Sequence, residues 1–130
     1  NHQAAIDSFN KALESDKESL HSAEVYYFLG HTFQDIKAER EAANAFENCI
    51  RIYESMPAEM AAEQKEPLQI RLAVLYAFLD RNDSAKQLCN TLITHSDSNK
   101  NKAQAKNILT AMGIEKDSPD KKGTEKNKAE

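Results

Sequence analysis

Apolar side chains return every three or four residues along most of this chain, in runs parted by short polar clusters, the period of helices with one buried face. Residues 2–14 place Ala5, Phe9, Ala12 and Leu13 on one stripe, and the polar stretch Ser15 to Ser19 ends it. Ser22 then reads as an N-cap, with Glu24 in the first turn where a negative charge suits the helix dipole. The second helix runs to about Ile36 with Tyr26, Leu29, Gly30 and Phe33 on one side, and a short turn leads to a third near 39–53. Two such helices form an antiparallel hairpin.

Pro57 ends the third helix, and Pro67 fits the first turn of a fourth over about 67–80. The AEMAAEQKE stretch between them either makes a short extra turn, the preferred expectation, or extends the fourth helix through a kink. From Ile70 to Leu79 only Arg71 is not apolar, so this helix should be buried on more than one side. The cluster Asp80-Arg81-Asn82-Asp83 introduces a fifth helix reaching about 95, with Asp83 or Ser84 as its cap. A sixth follows Ser98-Asn99 with Ala105, Ile108, Leu109 and Met112 on its stripe, and Gly113 stands where a left-handed residue ends a helix. No large apolar residue occurs from Asp117 onward, which predicts a disordered tail over 117–130.

One spacing repeats. Small, aromatic, small stand at Ala5, Phe9, Ala12 and again at Ala42, Phe46, Cys49; Ala85, Cys89, Leu92 is a third, weaker copy. Twelve residues separate Gly30 from Ala42 and Ala73 from Ala85. Repetition on this scale marks stacked units that cannot bury their apolar faces alone. The pattern resembles the tetratricopeptide repeat, a helix–turn–helix unit of about 34 residues. Tyr26, Leu29, Gly30, Phe33, Ala42, Phe46 and Cys49 stand at its preferred positions in the middle unit; Leu72, Ala73 and Tyr76 match in the next, while Gln69 departs. The copies are 37 and 43 residues apart, so connections absorb the excess, chiefly over 54–66.

The resemblance implies an all-α, right-handed superhelical array of antiparallel helix hairpins. It divides 1–116 into a second helix over 1–15, repeats over 22–54 and 67–96 around an insert at 55–66, and a C-terminal capping helix over 99–113. The first unit's missing partner helix is expected upstream of Asn1. Gly30 allows two backbones to approach, and a large residue there would cost on the order of 1–3 kcal/mol by overpacking.

Composition narrows the function. The 130 residues suffice for one domain, and three Gly with three Pro disfavour a turn-rich β fold. A net charge of −4 gives no support for nucleic-acid binding, and no run of 18 apolar residues spans a membrane. No signal peptide is visible, so a cytoplasmic protein is expected. Cys49 and Cys89 read as reduced, buried small hydrophobes, with a disulfide as the minor alternative. His2, His21, His31 and His95 show no zinc spacing, no glycine-rich phosphate loop exists, and no serine sits in a nucleophile elbow. No catalysis, no metal and no cofactor are expected.

What the resemblance does imply is a binding surface. First helices of successive units line a concave groove that receives a peptide or a partner helix. Carried onto this chain, the groove positions are Glu24, Tyr27, His31, Gln34 and Asp35, then Ile70, Val74, Ala77 and Phe78; Phe78 could instead be buried against the sixth helix. Lysine is absent from these positions, and His31 and Val74 stand where a chaperone-carboxylate clamp uses asparagine, so a clamp is not expected. The leading reading is a protein-interaction scaffold within a larger protein. The alternatives are a docking repeat region of an enzyme such as a glycosyltransferase, or a homo-oligomer formed through exposed solenoid ends.

Overall fold

The computed structural model describes residues 1–113, which form six α-helices and no strand. They are α1 His2–Ser15, α2 Leu20–Asp35, α3 Glu39–Glu54, α4 Ala62–Phe78, α5 Asn82–His95 and α6 Asn99–Ala111. The expected tail over 117–130 lies outside the described residues. Two compact units divide the chain, α1–α3 and α4–α6, with the boundary between Met60 and Ala61.

In the first unit α2 packs against both α1 and α3. Ile6 and Leu13 of α1, Val25 and Leu29 of α2 and Ala45 of α3 share one buried cluster, edged by Phe9, Tyr26 and Phe33. Gly30 is buried because the Phe46 ring occupies the place of a side chain: an added Cβ would lie 2.6 Å from its Cδ1, 2.8 Å from its Cζ and closer still to Cε1. The equivalent stripe on α1 is not closed over. Ala12 is exposed, whereas its counterparts Cys49 and Leu92 are buried.

The α1–α2 connection is a small hydrogen-bonded knot. Asp16 Oδ1 accepts from the Glu18 and Ser19 amides, and its Oδ2 accepts from the Ser19 hydroxyl. Those bonds hold the Asp16 carboxyl below the usual carboxylate range, the Ser19 hydroxyl contributing most. Ser19 caps α2 by accepting from the Ser22 amide, so the helix begins three residues earlier than a Ser22 cap predicts. Ser22 is instead buried, its hydroxyl donating 2.8 Å to the Asp16 carbonyl. Arg51 of α3 reaches Glu18 of this loop at 2.6 Å.

In the second unit α4, α5 and α6 all touch one another. Ala73, Cys89, Leu92, Ala105 and Leu109 form its core, with Ile70, Leu88, Ile93 and Ile108 against it. Glu66 ties the unit's start to its last connection: its Oε1 accepts 2.6 Å from the Ser96 hydroxyl and 2.9 Å from the Asn101 amide group. Ser98 caps α6. The segment before Pro67 divides: a turn in which the Met60 amide donates to the Pro57 carbonyl comes first, and from Ala62 onward it extends the fourth helix. Pro67 therefore lies inside the helix, where it cannot donate to the Glu63 carbonyl. Both residues are exposed, which leaves that carbonyl open to solvent.

The hairpin turns of the two units repeat bond for bond. Lys37 (φ 64°) donates to the Gln34 carbonyl and Ala38 to that of Phe33; Asp80 (φ 61°) donates to Ala77 and Arg81 to Tyr76. This is the six-to-one, five-to-two closure that ends a helix on a left-handed residue. Gly113 (φ 83°) is likewise left-handed and makes the five-to-two bond of this closure to the Thr110 carbonyl at the end of α6. Aligning the three left-handed residues sets Leu29, Leu72 and Ala105 in register, and likewise Phe33, Tyr76 and Leu109. At the next position Gly30 and Ala73 are buried, but α6 carries the exposed Lys106.

Candidate functional site

What the packing leaves outside defines the candidate surface. On α2 the stripe through Tyr26, Leu29 and Phe33 turns inward, which turns Glu24, Phe28, His31 and Asp35 outward; all four are exposed. Tyr27 and Gln34 are half-buried beside them. The Tyr27 ring meets His31 edge to face with centroids 4.5 Å apart, and meets Phe28 at 5.4 Å in the same geometry. Beneath them the buried Phe46 ring lies 5.2 Å from His31 and 6.3 Å from Tyr27. The ring that excludes a side chain at Gly30 thus also floors the aromatic patch.

Phe28, 44 % exposed, is the residue that pattern reading missed. It lies on neither the packing stripe nor a position carried over from the repeat resemblance. The signal available for it was an aromatic one residue off the apolar stripe, four positions from Glu24. Asp35 has a neighbour that the sequence did not reveal: His2 of α1 approaches it at 3.8 Å, both side chains largely exposed. That contact is ionic only when the imidazole is protonated.

On α4 the structure departs from the expectation of burial on several sides. Leu72, Ala73, Leu75 and Tyr76 are buried, but Val74 is 44 % and Phe78 49 % exposed, one turn apart on one face; Ile70 and Ala77 are half-buried. Phe78 is not covered by α6. Of the nine groove positions, Glu24, Tyr27, His31, Gln34 and Asp35 lie on α2 of the first unit, and Ile70, Val74, Ala77 and Phe78 on α4 of the second.

Little in the described residues offers chemistry. No group of three His, Cys, Asp or Glu side chains is placed to hold a metal ion among them. Both cysteines are free thiols and fully buried, and burial pushes the Cys89 thiol up to about 11. A shallow cleft at the start of α4 brings Glu63, Glu66, His95 and Asp97 near one another, but Glu66 is engaged by Ser96 and Asn101 and serves as a structural tie. Among the described residues no helix is long and apolar enough to cross a membrane.

Residues 23–56 match the family model of the tetratricopeptide repeat, a span that takes in α2 from its fourth residue, the hairpin turn and α3. No curated protein and no solved structure matches the chain. The matched unit and the six helices fit a repeat protein of this kind, whose usual role is protein–protein interaction.

Proposed function

We propose that this chain, a tetratricopeptide-like repeat protein in its matched unit and its all-helical build, is a non-enzymatic scaffold that binds a peptide or a partner helix. The binding surfaces are the outward faces of the first helix of each hairpin, α2 and α4. One observation carries the reading: large apolar side chains stand nearly half exposed on these faces, Phe28 on α2 and Val74 with Phe78 on α4, while Leu29 on α2 and Leu72, Leu75 and Tyr76 on α4 are buried beside them. Exposed apolar clusters rimmed by polar residues mark interaction sites, and aromatic anchors contribute most of the affinity at such sites. α6 fits the role of a terminal helix, because Lys106 stands where a closing second helix requires glycine or alanine.

Phe28→Ala combined with Val74→Glu tests the proposal by capture of partners from an extract of the source cell, read by mass spectrometry. Both residues are exposed, so helicity by circular dichroism should not change, and capture should be lost. Undiminished capture would move the binding surface elsewhere.

A further inference from the structure

We infer that the α2 face is selective for a basic segment, one that presents Arg or Lys beside a large apolar residue. The inference rests on the reading that the first-helix faces bind protein, and adds the chemistry of the partner. Glu24, Phe28, His31 and Asp35 follow at spacings of four, three and four, so a carboxylate stands at each end of one helical stripe with two aromatic rings between. No lysine or arginine occurs anywhere in α2. Glu24 has no ion-pair partner among the described residues, and Asp35 has only the long contact to His2.

The rings are held before any ligand arrives. Tyr27 is braced edge to face by both Phe28 and His31, and Phe46, buried, underlies the group. Fixed rings lose little freedom on binding, and their faces attract a guanidinium or ammonium group. The wider field points the same way. Residues 1–60 carry 11 Asp and Glu against five Lys and Arg, whereas residues 61–113 carry five against seven. The acidic excess of the whole chain is therefore concentrated in the unit that holds this face. Such a field draws in cationic segments and repels acidic ones.

Panning a random peptide library on the immobilised full chain at low salt tests this, with synthetic copies of the enriched peptides measured by fluorescence polarisation. Enriched peptides should pair Arg or Lys with a large apolar residue and weaken as salt is raised. Their Kd should rise at least about tenfold for Glu24→Lys with Asp35→Lys, and separately for Phe28→Ala, with helicity unchanged in both variants. Enrichment of acidic or uncharged peptides overturns the inference, as does binding of basic ones that ignores these substitutions. Peptides lost on Val74→Glu but indifferent to the α2 variants would leave the scaffold reading standing and remove this one; no enrichment at all removes both. A scattering mass that grows with concentration and collapses on Glu24→Lys with Asp35→Lys would assign the face to a second copy of the chain, and so overturn the inference.

Discussion

At the scale of single residues, the Gly30–Phe46 contact sets the spacing of the first hairpin. Adding a methyl to an interior helical glycine favours the helix by roughly 0.8–1.0 kcal/mol. Here the methyl meets a buried ring at under 3 Å, and overpacking of that kind costs about 1–3 kcal/mol. Gly30→Ala should therefore lower stability in urea unfolding, and should turn neutral or stabilising once Phe46→Leu has removed the ring. A double-mutant cycle that gives additive effects would mean that the ring does not set the approach. Cys89 carries a second residue-scale expectation. Its folded-state pKa of about 11 lies above the ordinary value of 9.0, so the unfolded chain releases the proton first. Its contribution is intact below pH 9 and is lost as pH rises toward 11; Cys89→Ala should flatten that part of the pH–stability profile. The native thiol should also resist alkylation until the chain is unfolded.

At the scale of elements, Pro67 is the clearest departure from pattern reading. A proline normally marks a helix start, yet α4 reaches back five residues to Ala62, because Ala, Glu, Gln and Lys are good helix formers and the lost bond falls on the exposed Glu63 carbonyl. Pro67→Ala should restore that bond and stabilise the second unit by about 1–3 kcal/mol in a denaturant titration. The remaining helices were legible because their apolar period is strong, with limits within a few residues. The α2 cap was not, because Ser19 and Ser22 are both good caps, and only the Asp16 hydrogen bonds select the first. The inward stripes of α2 and α3 were readable from Leu29, Gly30 and Phe46, whose types are dictated by close packing. Phe28 was not readable, since nothing in the packing code asks for an aromatic there.

At the scale of the whole molecule, the unlike charges of the two units are invisible to a net value of −4, which averages them. Summed composition gives no support for a nucleic-acid partner; only the division of the chain into units locates the acidic excess in the first of them. The candidate positions were legible as helix register, but their chemistry was not. Val74 and Phe78 looked like part of a helix buried on several sides, and their exposure depends on how α5 and α6 cover the opposite side of α4.

The matched hairpin turns also tell an engineer where foreign sequence can be spliced in. Residues 36–38 and 79–81 each spend consecutive amides on the helix they close, with a non-glycine residue held left-handed, so a graft there would unpick the helix end. The stretch 57–59 lies between α3 and α4 with all three residues exposed. The Met60 amide donates to the Pro57 carbonyl across this stretch, but neither helix end depends on it. Added loop length costs only about 0.6 kcal/mol per doubling, so an epitope or reporter tag inserted there should shift the melting curve far less than the same tag at 37–38.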